Sequence, residues 1–149
     1  YGNGGLSEDQ DVNLSVDPNW KKTAMGWAVV PWGCRKLLAW ISDRYDAPDI
    51  YITENGCAYV DAPAEGKVQD DERIAYYAGY LNACHEAIEK GAQLRGYFAW
   101  SLMDNFEWTS GYDKRFGLHY VDFDTLERIP KASADWYKKA IQANGLKHK

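Results

Sequence analysis

Glu54 closes the run Asp49-Ile50-Tyr51-Ile52-Thr53-Glu54-Asn55-Gly56, where a short apolar segment ends on a carboxylate and the chain breaks at Asn-Gly. Ile, Tyr and Thr bounded by turn residues read as a buried strand, so the acid stands where that strand opens into a loop. A carboxylate at the C-terminal end of a strand, in a chain that alternates strands with helices, marks an active site. An ionised turn residue that helps to start a loop leaves the same local signature. The second constellation is Trp100-Ser101-Leu102-Met103-Asp104-Asn105-Phe106-Glu107-Trp108, which follows another apolar strand and holds two indoles and two acids within nine residues. Seven Trp and eleven Tyr in 149 residues are an excess of rings. Such rings pack cores, and they also build sugar-binding clefts, because a pyranose offers an apolar face to stack on.

The elements that must position these residues follow from periodicity. Residues 1–25 are rich in Gly, Asn, Asp and Ser and read as a surface loop region. Pro31 opens a helix with Leu37, Leu38, Ile41 and Tyr45 on one face. Strand 50–54 follows, then a polar loop over 61–71. A second helix carries Ile74, Tyr77, Leu81, Cys84 and Ile88 at steps of three and four and is stopped by Gly91. A second strand spans 95–101. Residues 118–123 and the segment around Arg128 form a hairpin about Asp124-Thr125, and Pro130 begins a last helix with Ala134, Tyr137 and Ile141 inward.

Helix, strand, helix, strand, helix is the order of βα units in a parallel sheet. Both strands are apolar on nearly every residue, as in sheets covered on both sides. Two strands cannot close a barrel, so the expected fold is part of a larger α/β structure with sheet edges that something else must pair.

Composition removes several other classes. A net charge of −5 leaves no basic footprint for nucleic acid. No apolar run approaches the roughly 18 residues that cross a bilayer. Cys34, Cys57 and Cys84 are odd in number with no Cys-x-x-Cys pair, which favours free thiols in a reducing, cytoplasmic compartment. His85, His119 and His148 are scattered, and no metal or other cofactor is expected. No signal-peptide pattern stands at the start.

The two constellations together resemble the C-terminal third of the family 1 glycoside hydrolases, the β-glucosidase family of (β/α)8 TIM barrels. The likeness runs the length of residues 1–149. It includes Gly26-Trp27, Pro31-Trp32-Gly33, Lys67-Val68-Gln69-Asp70-Asp71-Glu72-Arg73-Ile74, Gly111-Tyr112, Arg115-Phe116-Gly117-Leu118, Tyr120-Val121-Asp122-Phe123 and Pro130-Lys131. It implies that the two strands are about the seventh and eighth of the barrel, with their flanking helices, and that the first six are absent.

Carried over by position, the resemblance makes Glu54 the nucleophile of a retaining mechanism. Trp100 becomes the platform under the non-reducing sugar, Glu107 the acid that holds its 4- and 6-hydroxyls, and Trp108 an N–H donor to its 3-hydroxyl. Trp27 lines the aglycone side and Phe116 the pocket mouth, while Asp71, Arg73, Asp104 and Asn105 are expected to serve structural hydrogen bonding. The family's acid/base Glu sits in Asn-Glu-Pro, which this sequence lacks. The implied function is hydrolysis of non-phosphorylated β-glucosides or oligosaccharides once the N-terminal part of the barrel, a separate chain or an upstream segment, is supplied. The fragment alone is expected to be inactive. The alternatives are a non-catalytic sugar-binding or scaffolding relative, or a thioglucosidase variant without the acid.

Overall fold

A computed structural model describes residues 17–146. Most of the N-terminal loop expected over residues 1–25 therefore lies outside the described residues. From 17 to 25 the chain makes a turn, and Lys22 forms an isolated bridge with Ala28. Helix α1 then spans Pro31–Arg44, with Pro31 in its first turn, where a missing N–H costs nothing. Strand β1 runs Ile50–Asn55, helix α2 Asp71–Glu89 and strand β2 Leu94–Ala99. A 3₁₀ turn at Trp108–Ser110 interrupts the long loop that follows. Strands β3 (His119–Val121) and β4 (Arg128–Pro130) form an antiparallel hairpin, and helix α3 is Ala132–Ala143.

β1 and β2 pair in parallel, with α2 as the crossover between them. One face of this two-stranded sheet presents Ile50, Ile52, Leu94 and Tyr97 to Leu38 of α1, Cys84 and Ala87 of α2, and Ala92. Nearer the C-terminal ends, Cys57, Tyr76, Tyr77, Tyr80 and Leu118 form a second cluster with Tyr97, Ala99 and Tyr137. The opposite face is bare: Tyr51 is 57% and Phe98 58% exposed. The chain is thus α/β with one layer of helices on a sheet open on its other face and at both edges, the partial barrel that the sequence implies.

Three sequence expectations need correction. Leu37 and Tyr45, expected on one face with Leu38 and Ile41, are 57% and 59% exposed; α1 buries Leu38, and α2 packs against it. The buried stripe of α2 is Arg73, Tyr76, Tyr77, Tyr80, Ala83, Cys84 and Ala87, one step round from the aliphatic stripe, so Ile88 is exposed. This happens because α2 is wedged between α1 and α3 and small residues let it approach α1 closely. The last helix begins at Ala132, because Pro130 closes β4 and Lys131 is extended at φ −82°, ψ 163°, and Ile141 faces outward.

Candidate active site

The end of β1 is built to present Glu54. Register advances three residues from Ile52 to Asn55 on β1 while β2 advances two, from Tyr97 to Ala99. That extra residue is a β-bulge, which re-aims side chains next to sites. Its effect is visible in exposure: Thr53 and Glu54, consecutive residues that a regular strand would put on opposite faces, are both open to solvent. Among the described residues no side chain or N–H bonds the Glu54 carboxylate, which stands free for chemistry.

Asn55 turns the other way and anchors the strand end. Its Oδ1 accepts from the Tyr97 hydroxyl at 2.6 Å, its Nδ2 donates to the Tyr76 hydroxyl at 3.2 Å, and its carbonyl accepts from the Trp100 N–H at 2.8 Å. The Tyr77 hydroxyl donates to the Trp100 carbonyl at 3.1 Å. Gly56 is required by this crossing, since a Cβ there would lie 1.8 Å from the Trp100 carbonyl oxygen. Glu54 and Trp100 therefore sit on the paired ends of adjacent parallel strands, tied together through the residues next to Glu54. The Trp100–Ser101 peptide is cis.

Beyond Trp100 the loop carries Glu107 and Trp108. The Glu107 N–H donates to the Gly111 carbonyl at 2.6 Å, and partial burial pushes the Glu107 carboxyl above its ordinary value. Trp108 is 79% exposed. Asn105 donates to Ser101 Oγ at 3.0 Å and to the Met103 carbonyl at 3.1 Å, holding the loop to itself. Trp27 is partly exposed with its ring 5.9 Å from that of Phe116. Phe116 is only 3% exposed, so of this pair it is Trp27 that offers surface and Phe116 that backs it.

A buried ionic network supports this loop from below. Arg73 makes paired bonds to Asp61 at 2.8 and 3.0 Å and a third to Asp70 at 2.5 Å. Lys131 bridges Asp61 at 2.6 Å and Asp104 at 2.8 Å, and Arg115 closes on Asp104 at 2.7 Å. Three cations thus face three carboxylates, and the Asp104 side chain also receives the Gly117 N–H at 2.8 Å. Burial opposes the charge on Arg73, but Asp61 and Asp70 outweigh it and hold the guanidinium above its ordinary value. Lys131 is lowered by burial and by Arg73. Reading the sequence identified Arg73 and Asp104 as hydrogen-bonding residues but missed Asp61, Asp70, Arg115 and Lys131, and also the tyrosines that clamp Asn55 and Trp100. The Asp70-x-x-Arg73 spacing at a helix start was the available signal for one pair; the rest are joined by distant contacts.

The model of glycosyl hydrolase family 1 matches residues 4–146. The chain belongs to that family. Beta-glucosidase A of Thermotoga maritima is 47% identical over 132 residues, which are 88% of this chain and 30% of that protein. Human lactase/phlorizin hydrolase is 45% identical over 93% of this chain and 7% of its own length. The structure of the Thermotoga maritima family 1 β-glucosidase superimposes with a TM-score of 0.87 at 46% identity, over 89% of this chain and 30% of that one. The complex of a Thermotoga maritima β-glucosidase with castanospermine gives 0.88. This chain therefore spans about 30% of the length of the β-glucosidases it matches, and its fold is part of a (β/α)8 barrel. Among the described residues no group of three or more His, Cys, Asp or Glu could hold a metal ion, and no helix is long and apolar enough to cross a membrane.

Proposed function

We propose that this chain supplies the nucleophile and the glycone-binding half of a retaining β-glycosidase site, completed by the remainder of the barrel. The observation that carries this reading is the bulge that frees Glu54 at the end of β1, next to Asn55, whose carbonyl holds the N–H of Trp100 just past β2. In the completed site the Glu54 carboxylate attacks the anomeric carbon of a β-glucoside as the glycosidic oxygen departs. The departing oxygen takes its proton from a second carboxyl about 5 Å away, the separation of retaining enzymes, and that group comes from the rest of the barrel. Water, deprotonated by the same group, then cleaves the glycosyl ester and restores Glu54.

Trp100 stacks on the sugar's apolar face, and Glu107 and the Trp108 N–H bond its hydroxyls, with contacts that tighten as charge develops in the transition state. An ionised Glu107 repels phosphate, which favours non-phosphorylated sugars. The names of the relatives, β-glucosidases from bacteria and rice among them, support the same substrate class.

The test is to incubate the complete enzyme with a 2-fluoro-β-glucoside, whose glycosyl ester turns over slowly, and to map the labelled peptide. The adduct is expected on Glu54, and labelling of any other carboxylate overturns the assignment.

A further inference from the structure

The chemistry proposed above leaves the cysteines unused, and two of them are neighbours. Cys34 of α1 is half-buried, Cys84 of α2 is 4% exposed, and neither is in a disulfide. Cys34 packs against the cluster of Leu38, Cys84, Ala87 and Ala92. Interaction with the Cys84 thiol lowers the Cys34 thiol below its ordinary value against the effect of burial, while Cys84 is raised.

The helices are fixed on either side of this contact. One turn before it, the Val30 N–H donates to the Tyr80 hydroxyl at 3.2 Å, and beside it Arg35 pairs with Glu86. A Cβ at Gly79 would lie 3.1 Å from Pro31 Cγ, so the two helices approach closely at this end. A disulfide needs Cα atoms about 6 Å apart, and a close crossing of two helices is where that need can be met.

We propose that Cys34 and Cys84 form a redox couple that closes a disulfide between α1 and α2 when a low-molecular-weight disulfide is the oxidant. The Cys34 thiolate, half-exposed, attacks one sulfur of the oxidant and expels the other as thiolate. Cys84 then loses its proton to that thiolate and attacks Cys34 in the mixed disulfide, and the second thiolate leaves and takes up the proton that Cys34 gave to solvent. Two protein thiols are oxidised and one small disulfide is reduced to two thiols. The bridge closes a loop from 34 to 84 that contains β1 and Glu54, and it restrains the unfolded chain more than the folded one. Cys57 takes no part: it is wholly buried, and burial pushes its thiol up to about 12.

The test treats the complete protein that carries this chain with glutathione disulfide and maps the peptides by mass. A linked Cys34–Cys84 peptide is expected, lighter than the two parent peptides by two hydrogen atoms and reversed by dithiothreitol, together with a higher thermal midpoint in the oxidised form. Cys84→Ala should trap glutathione on Cys34, and Cys34→Ala should leave Cys84 unreacted. A glutathione adduct that persists on Cys34 in the unmutated protein overturns the proposal, as do both thiols remaining free or a bridge to Cys57. The mapping on the unmutated protein decides the matter even if neither variant folds.

Discussion

Glu107, proposed above to bind sugar hydroxyls, shows at the scale of one residue how an acid is held against its own solvation. Burial raises its carboxyl in the folded chain, so the folded state binds that proton more tightly than the unfolded one. The resulting contribution to stability is fully present below the ordinary Glu value of about 4.3 and is lost as pH rises through the folded value. Glu107→Gln removes the loss. The variant should therefore gain in urea midpoint over the unmutated protein at neutral pH and show no such gain under acidic conditions. Its turnover on aryl β-glucosides in the completed enzyme should fall by about 10²-fold or more, because the lost contact strengthens in the transition state. Unchanged turnover with a raised midpoint would reduce Glu107 to a misplaced loop acid. Glu54, with no partner to lose among the described residues, should behave oppositely: Glu54→Ala leaves the free energy of unfolding within about 0.5 kcal/mol and abolishes hydrolysis. Both acids could be singled out in the sequence because each stands in a short motif after a strand. That Phe116 backs Trp27 was not legible, since the environment of a loop ring is set by residues far away in the chain.

Between elements, the contrast of Asp70 with Asp71 is the clearest lesson. The two acids are adjacent, and reading the sequence singled out Asp71, whose carboxylate stays at the surface and accepts from Gln69 at 2.6 Å. The buried work belongs to Asp70. Its backbone carbonyl accepts from the Arg73 N–H at 3.0 Å in the first turn of α2, while its side chain accepts the Ser133 N–H at 2.8 Å and the Ser133 hydroxyl at 2.5 Å at the start of α3. One carboxylate thus neutralises Arg73 and caps a helix 63 residues away, where the dipole favours an anion. Asp70→Ala should cost about 3–5 kcal/mol in equilibrium unfolding, because it strands a buried guanidinium and an uncapped helix start. Asp71→Ala should stay within about 0.5 kcal/mol. Element order and types were readable because Pro31, Gly91 and the apolar periods are local signals. The buried face of α2 was not, because it follows from tyrosine hydroxyls reaching Asn55 and Trp100 and from small residues that admit α1, and neither preference is written in the helix's own period.

For the whole molecule the deciding quantity is unpaired surface. Among the described residues β1 and β2 pair only with each other, so each presents an outer edge of N–H and C=O groups, which are costly to bury without partners. Tyr51 and Phe98 stand on the open sheet face, and covering each would contribute about 1.5–3 kcal/mol. Between β2, α2 and α3 lies a groove of about 610 Å³ lined by Leu81, Ile88, Leu94, Tyr137, Ile141 and Leu146. Two aliphatic residues of α2 that escape its buried stripe, Leu81 and Ile88, line it, so this second apolar face has a use once another βα unit docks there. These surfaces lie on both sides of the sheet and on the helix layer, as expected if the remaining barrel closes on β1 and β2 at once. Sedimentation of the isolated 149-residue chain is predicted to show association or incomplete folding. Mixing it with the segment carrying the first six strands should give one compact 1:1 species and the first appearance of glucosidase activity. A dimer of this chain paired edge to edge satisfies the strands but leaves the site without a second carboxyl, so it would form without activity. A compact, stable monomer of the chain alone would contradict the argument from unpaired edges, whatever its effect on sugars.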